Sequence, residues 1–160
     1  MAVLSLVGEL ARKEKKSSLT YVCWACGLGK TTCMMELGHI LGLVSLPPTG
    51  KKPVYVRLVL ANADLVKHYE QLFAKKQEEA DKRVQLEWLS MDTFKTKLEE
   101  APAQYGKDCC LVIDEGDTML AKEVHKQLII AQPRHLVLIS AVPAEALTGM
   151  QRFCFRTARG

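Results

Sequence analysis

The sequence predicts an α/β domain with a mainly parallel sheet that carries helices on both of its faces. Short β-branched or apolar segments alternate along the chain with longer segments whose apolar residues recur every three or four positions. The segments 108–113 and 135–140 are almost continuously apolar, as expected of strands that are buried on both faces. Helices that connect successive strands return the chain in the same direction, so the strands become parallel neighbours.

The elements follow one another in a regular order. Predicted strands cover residues 20–24, 53–61, 84–90, 108–113, 135–140 and 150–156, and predicted helices cover 31–44, 64–82, 92–100 and 118–132, with a helical turn from Pro143. Apolar residues at helical spacing are expected to face the core: Met34, Met35, Leu37 and Leu41; Leu65, Tyr69, Leu72 and Phe73; Met119, Leu120, Val124 and Leu128. Asp64 is expected to cap the second helix, and Asp92 or the turn at Ser90 and Met91 the third.

Length and composition fit one ordinary globular domain. The chain has 160 residues, of which 48% are hydrophobic and 25% are charged, and its formal net charge is +4. This length suits one sizeable core, so we expect residues 1–160 to form a single domain. The mild positive charge permits nucleic acid as a partner without indicating one, because no basic stripe dominates the sequence.

The sequence predicts an intracellular protein in a reducing compartment. No apolar stretch approaches the ~20 residues that span a bilayer, and the N-terminal apolar run precedes its charges, the reverse of a secretory signal. The six cysteines show no regular framework spacing. We therefore expect a cytoplasmic location, with the nucleus left open, and no membrane partner.

Cys23 and Cys26 raise the alternatives of a redox pair or of a zinc site completed by Cys33 and His39. Redox motifs of this spacing begin a helix, whereas these residues belong to a predicted strand and the loop after it. A zinc ion would also need two further ligands inside that loop. Core cysteines are the favoured interpretation.

A glycine-rich loop between the first strand and the first helix is the strongest functional signal. It comprises Gly27, Leu28, Gly29, Lys30, Thr31 and Thr32. Glycines let successive backbone N–H groups point inward at phosphate oxygens, and the helix N-terminus adds partial positive charge. Lys30 could reach the β- and γ-phosphates, and the Thr31 hydroxyl could bind Mg²⁺. The pattern predicts a P-loop for ATP or another NTP; the alternative is an ordinary glycine turn with an exposed lysine.

A cluster of acids follows the buried strand 108–113. Asp114, Glu115 and Asp117 stand where parallel strands of α/β proteins end and ligands bind. Asp114 is expected to hold Mg²⁺ through a water, and Glu115 to polarise the water that attacks the γ-phosphate. Ser140 ends the next predicted strand and is expected to bond Asp117 or to sense the γ-phosphate. Separately, each of these features is common in turns and strand ends.

The three signals together resemble motifs I, II and III of superfamily-two helicases of the DExD/H class. The matching stretches are WACGLGKTT, LVIDEGDTML and LISAVP, and VLANADLVKHYEQLF and LEWLSMDTF lie where motifs Ia and Ib would be. The resemblance covers most of residues 20–145. It implies the first RecA-like lobe of a nucleic-acid-dependent ATPase, with single-stranded RNA favoured over DNA and a second lobe, absent from this sequence, supplied in cis or in trans.

Several positions depart from the family pattern. Trp24 stands where the P-loop pattern has a small residue, Val142 stands where motif III usually has Thr, and residues 61–65 lack the Arg and Thr of motif Ia. No glutamine-centred adenine motif precedes the P-loop. Two rival functions therefore stay open: an AAA+ or signalling-type NTPase switch that acts on protein partners, and a nucleotide-binding module that does not hydrolyse.

Overall fold

The computed structural model describes residues 18–23, 30–47, 52–115 and 122–140. Over these residues the order is β1 (Ser18–Cys23), α1 (Lys30–Ser45), β2 (Val54–Leu60), α2 (Ala63–Glu79), β3 (Val84–Ser90), α3 (Met91–Glu100), a 3₁₀ helix (Pro102–Tyr105), β4 (Cys109–Asp114), α4 (Lys122–Ala131) and β5 (His135–Ser140). The predicted turn from Pro143 and the predicted strand 150–156 lie outside the described residues, as do Met119 and Leu120. The described elements match the predicted alternation of strands and helices.

The five strands form one sheet in the order β1-β5-β4-β2-β3. Every pairing between them is parallel, so the C-terminal ends of the strands lie along one edge, which we call the carboxyl edge. The strand order is not the chain order, because β5 inserts between β1 and β4. This insertion brings the ends of the three strands that precede the predicted motifs side by side.

Successive side chains of each strand point to opposite faces of the sheet, and each face has its own core. In β4, Cys110 and Val112 pack with α1 and α2, whereas Cys109, Leu111 and Ile113 pack with α3 and α4. All six residues of β4 are buried, which explains its nearly continuous apolar sequence. A fully buried Val, Leu or Ile side chain stabilises a fold by about 1.5–3 kcal/mol, so the two cores hold the sheet between its helices.

Two glycines let α1 lie unusually close to the sheet. A Cβ atom placed on Gly38 would stand 2.8 Å from Cδ2 of Leu58. One placed on Gly42 would overlap a methyl group of Val84. The predicted inward residues of α1 are all buried: Met34, Met35, Leu37 and Leu41. Close packing of this kind fixes the axis of α1, and with it the position of the first turn of the helix.

The predicted cap and apolar stripe of α2 are partly wrong. The helix begins at Ala63 and its N-cap is Asn62, whose side chain accepts a hydrogen bond from the backbone N–H of Leu65. Asp64 therefore lies in the first turn and not at the cap. In the first turn its negative charge interacts favourably with the helix dipole.

The buried stripe of α2 is narrower than its sequence suggests. Leu65 and Leu72 are 36% and 58% exposed, whereas Tyr69 and Phe73 stack against Trp88 of β3. Helical spacing placed all four apolar residues near one face, but the contact with β3 covers only part of that face. The N-cap of α3 is Ser90, one of the two predicted alternatives. In α4, the predicted inward residues Val124 and Leu128 are buried.

A buried arginine in β2 is a feature that the apolar pattern did not predict. Arg57 is 7% exposed. Its Nε donates to Glu87 at 3.1 Å, and its Nη1 donates to the carbonyl of Gln104 at 2.9 Å and to Sγ of Cys109 at 3.1 Å. Its guanidinium also lies 4.5 Å from the ring centroid of Tyr105. These partners replace water around the buried cation and tie β2 to β3, β4 and the 3₁₀ helix.

The described cysteines Cys33, Cys109 and Cys110 are free thiols. Burial raises the pKa of Cys109 to about 12 and that of Cys110 to about 11, so both are neutral thiols at physiological pH. They behave as small core residues. The alternatives raised by Cys23 and Cys26 depend on side chains outside those described.

Candidate functional site

The carboxyl edges of β1, β5 and β4 form the candidate site. Cys23, the last residue of β1, pairs with Ser140, and Asp114, the last residue of β4, pairs with Ile139. Adjacent strands lie ~4.8 Å apart, so the ends of β1 and β4 are separated by roughly 10 Å with β5 between them. This span is comparable to that of a nucleotide's phosphates and the metal ion beside them.

The predicted phosphate loop lies between β1 and α1 in the sequence. Gly27, Leu28 and Gly29 lie outside the described residues, between the end of β1 and the start of α1. Lys30 and Thr31 are the first two residues of α1, and Thr32 is exposed in its first turn. A strand therefore precedes the glycine-rich segment and a helix of 16 residues follows it, as the P-loop pattern requires.

The two acids at the end of β4 differ in their surroundings. Asp114 is 7% exposed, and its Oδ1 accepts a hydrogen bond of 2.9 Å from the backbone N–H of Glu115. Glu115 is exposed and has a φ of 54°, which lies in the left-handed region. A buried carboxylate on a rigid strand suits a fixed position, whereas an exposed one suits contact with a ligand or a water molecule. Asp117 lies outside the described residues.

Ser140 ends β5 between the other two strands and is 1% exposed. Its position beside Cys23 brings it to the same edge as Asp114. The described part of the structure thus gathers Lys30, Asp114, Glu115 and Ser140 at or next to the carboxyl edge, from three separate elements of the chain.

The chemistry of the available donors fits a magnesium ion held largely by water and phosphate. Mg²⁺ prefers oxygen ligands and keeps several waters, so one or two protein oxygens suffice when substrate phosphates supply the rest. Asp114 provides a carboxylate at the edge. Within the described ranges, no group of three or more His, Cys, Asp or Glu side chains could hold a metal ion.

Two more helices begin at the carboxyl edge, on the side away from β1. Leu60 of β2 pairs with Ser90 of β3, and α2 and α3 start within a few residues of these positions. Both starts are capped: Asn62 accepts from the N–H of Leu65 at 3.0 Å, and Ser90 Oγ accepts from the N–H of Thr93 at 3.3 Å. Asn62 and Ser90 belong to the segments that lie where motifs Ia and Ib would be. In this structure their side chains cap α2 and α3.

Comparison with known proteins supports the fold. No protein-family model matches the chain, and no curated protein matches it. The chain is similar to a solved structure of the Hef helicase domain from Pyrococcus furiosus, with a TM-score of 0.55 and 15% sequence identity. The chain has a RecA-like fold. The match covers 92% of this chain but 35% of the other, so the chain spans about a third of the length of that structure.

The RecA-like fold accounts for the placement of the predicted motifs without establishing their activity. A likeness at 15% identity concerns the architecture of the sheet and its helices. Sequence patterns located the ends of β1, β4 and β5 but missed the left-handed conformation of Glu115, for which a glutamate gives no local signal. No helix in the described ranges is both long and apolar enough to cross a membrane.

Proposed function

We propose that this chain binds Mg²⁺-ATP, or a related NTP, at the carboxyl edge and hydrolyses it as a helicase-type ATPase. The observation that carries the proposal is that Asp114 and Glu115, at the end of β4, share an edge with Ser140 and with the strand that leads through the glycine loop into α1. A phosphate-binding loop and a pair of acids at one edge of a sheet are two recurring parts of phosphoryl transfer in P-loop NTPases.

Binding would rest on the segment that opens α1. The backbone N–H groups of Gly27, Leu28 and Gly29 would surround the phosphates, and the partial positive charge of the N-terminus of α1 would favour their negative charge. Lys30 would add a cation between the β- and γ-phosphates, and Thr31 and Thr32 would contribute hydroxyl and backbone donors. Tight packing of α1 at Gly38 keeps this helix end in place.

Hydrolysis would depend on the acids. When bound, Mg²⁺ would neutralise charge on the phosphates. Asp114 would hold a water of its coordination shell, while Glu115 would orient the attacking water and accept its proton. Ser140 and Asp117 would couple the γ-phosphate to the rest of the lobe. These roles follow from the resemblance and, for Asp114, Glu115 and Ser140, from their positions on the edge.

We further propose that hydrolysis is coupled to nucleic acid, with single-stranded RNA favoured over DNA. The resemblance to DExD/H motifs and the fold shared with a domain described as a helicase both support this coupling. The first turns of α2 and α3 and the adjoining loops, near residues 62–65 and 90–93, would meet the phosphate backbone, because residues 61–65 lack the usual arginine. Binding of this kind would be loose, salt-dependent and insensitive to sequence.

A second RecA-like lobe, in cis or in trans, would complete the ATP cleft. In this proposal it supplies the arginine that stabilises charge on the transferred phosphoryl group, which raises rates by about 10³–10⁵ in related systems. The lobe formed by residues 1–160 should therefore hydrolyse ATP slowly by itself. Pairing with a second lobe should increase both the rate and its dependence on nucleic acid.

Steady-state ATPase assays with and without single-stranded RNA or DNA test the coupling. The proposal predicts low basal activity, stimulation by RNA that exceeds stimulation by DNA, and greater stimulation when a second lobe is added. The Glu115→Gln variant should show none of these activities, which controls for a contaminating ATPase. Activity without stimulation under any of these conditions would favour the protein-switch alternative, and nucleotide binding without turnover would favour the non-hydrolysing module.

A further inference from the structure

Helix α2 is attached to the sheet through a small apolar contact. Of its 17 residues, Phe73 is the one that is buried, and Val66 and Tyr69 are half-buried beside it. The helix α1 has 16 residues and contributes four large buried side chains to the same core: Met34, Met35, Leu37 and Leu41. Because buried apolar surface is the main attraction between a helix and a sheet, fewer groups hold α2 in place than hold α1.

The contact of α2 with β3 consists mainly of stacked aromatic rings. The rings of Tyr69 and Phe73 lie 5.9 Å and 6.0 Å from that of Trp88, with the ring planes within 18° of parallel. Trp88 is 4% exposed, and in the described part of the chain its Nε1 is buried without a hydrogen-bond partner. An unpaired N–H opposes burial, because water would satisfy it once the ring is uncovered. We call Tyr69, Phe73 and Trp88 the aromatic contact.

The other side chains of α2 add little to this attachment. Lys76 Nζ lies 3.0 Å from Glu36 Oε1 of α1, but the two side chains are 55% and 52% exposed. An ion pair in water contributes little to stability, because the solvent screens its charges. Leu65 and Leu72 are exposed and bury little of their surface against the domain. The aromatic contact is therefore the principal attachment of α2.

Strand β3 is held in the sheet by groups that do not belong to α2. All seven of its residues are in register with β2. On the opposite face of the sheet, Leu89 is buried in the core formed with α3 and α4. On that face Glu87 also accepts from Arg57 at 3.1 Å and from Lys97 of α3 at 3.1 Å. Loss of the contact with α2 would leave these interactions in place.

We propose that α2 is a detachable element: it separates from β3 as a unit and uncovers Trp88 while the five-stranded sheet stays folded. Proteins open in cooperative units at free energies below that of global unfolding, and the units with few buried apolar contacts open most easily. The separation follows from the packing of α2 alone. It does not rest on the proposed function.

Hydrogen exchange followed by NMR, without nucleotide or nucleic acid, tests the separation. The slowest amides of α2 and of β4 are compared in wild type, Phe73→Leu and Phe94→Leu. Phe73 belongs to the aromatic contact, whereas Phe94 is fully buried in the other core, edge-on to Tyr105. Urea unfolding of the three proteins matches the variants, since each substitution should raise the global unfolding constant by about tenfold.

In wild type the slowest amides of α2 should exchange faster than those of β4 by about tenfold or more. Phe73→Leu should accelerate both sets by about tenfold, because the aromatic contact is lost in either opening. Phe94→Leu should accelerate the amides of β4 and leave those of α2 unchanged, because the core around Phe94 stays intact when α2 separates. Tyr69→Leu, a second change in the aromatic contact, should behave as Phe73→Leu does.

Two results would overturn the proposal. If Phe94→Leu accelerates the amides of α2 as much as those of β4, the helix opens only when the whole domain unfolds. If both Phe73→Leu and Tyr69→Leu leave the amides of α2 unchanged, these amides exchange by fraying of the helix without loss of the aromatic contact. Neither result depends on whether the chain binds ATP.

A consequence for nucleic acid does rest on the proposed function. The helix α2 begins next to Asn62 at the carboxyl edge, where the phosphate backbone would bind. Nucleic acid that binds only the attached helix should slow exchange of the α2 amides, by about tenfold at ten times its Kd. The probe is a short fluorescein-labelled polyuridine, whose binding is measured by anisotropy. Binding without slower exchange would overturn this consequence alone, whereas no binding would contradict the proposed nucleic-acid function as well.

Discussion

Ser140 pairs with Cys23 in the parallel ladder between β5 and β1. This pairing sets the serine at the end of β5 beside the strand that enters the glycine loop, while Asp114 lies on the other side of β5. Three segments that are far apart in sequence meet at one edge because β5 inserts between β1 and β4. The predictions below test the chemistry proposed for that edge and the packing that supports it.

The Glu115→Gln variant should retain ATP binding and lose turnover. Glutamine keeps the size of the side chain but cannot accept a proton, so the loss should be about 10²–10⁴-fold in kcat. Phosphate-release kinetics measure the rate, and calorimetric titration of ATP confirms binding. Glu99→Gln, an exposed change on α3, serves as the matched control. Turnover of Glu115→Gln at the wild-type rate would contradict the role assigned to this carboxylate.

Asp114→Asn should instead change the response to Mg²⁺. The substitution removes the negative charge that would hold the metal's water shell. We expect the Mg²⁺ concentration that gives half-maximal ATPase activity to rise by about tenfold or more, as for the loss of one charge-assisted interaction. A magnesium titration of the rate measures it. An unchanged magnesium dependence would remove Asp114 from the proposed metal site.

The Arg57→Met variant should lower the free energy of unfolding by about 2–3 kcal/mol, because it leaves the Gln104 carbonyl and the Glu87 carboxylate without their buried partner. Glu87 is partly exposed, so solvent screens part of its contribution. Urea denaturation measures the change. Arg83→Met removes an exposed arginine paired with Asp81 and should have a much smaller effect. Equal effects of the two substitutions would show that the Arg57 contacts add little.

The stability of the fold should fall as the pH is lowered from 7 towards 5. Burial, with a smaller effect of Arg134, lowers the pKa of His135 to about 4. In the unfolded chain the pKa is about 6.5, so acid protonates the unfolded state first and favours it. The stabilisation that neutral His135 contributes is complete above the pKa that this residue has in the unfolded chain. It is lost as the pH falls to the pKa of His135 in the folded protein.

His135 should account for about 2 kcal/mol of the stability lost between pH 7 and pH 5. Urea denaturation of wild type and of His135→Gln at both pH values measures this contribution, with His68→Gln, an exposed change, as the control. The His135→Gln variant should lose less stability than wild type over this interval. An identical loss in the two proteins would contradict the assignment to His135.

Sequence patterns predicted the alternation of strands and helices because each buried strand needs an apolar run and each crossover helix an apolar stripe. They did not predict the insertion of β5 between β1 and β4, which arises from long-range pairing. They also predicted Asp64 as the N-cap of α2, whereas the N-cap is Asn62 and Asp64 lies in the first turn. Leu72 shows a further limit: its apolar character fits the stripe, but no neighbour covers it fully.

At the candidate site, residue types and order predicted which side chains share an edge, and the register of Ser140 with Cys23 agrees with that expectation. The pattern could not predict Arg57, because a buried cation depends on partners from β3, β4 and the 3₁₀ helix. Nor could it predict the positive φ of Glu115, because glutamate has no local preference for the left-handed region. The roles of all the candidate site residues stay predictions: Lys30, Thr31, Asp114, Glu115, Asp117 and Ser140.

Calorimetric titration of Mg²⁺-ATP into wild type and Lys30→Ala tests the central claim most directly. Removing the cation between the phosphates should weaken binding by about tenfold or more, the equivalent of one charge-assisted hydrogen bond. Lys75→Ala, an exposed change on α2, should bind as wild type does, and circular dichroism should show that all three proteins are folded. Equal affinity of wild type and Lys30→Ala for ATP, or no binding by wild type, would contradict the account.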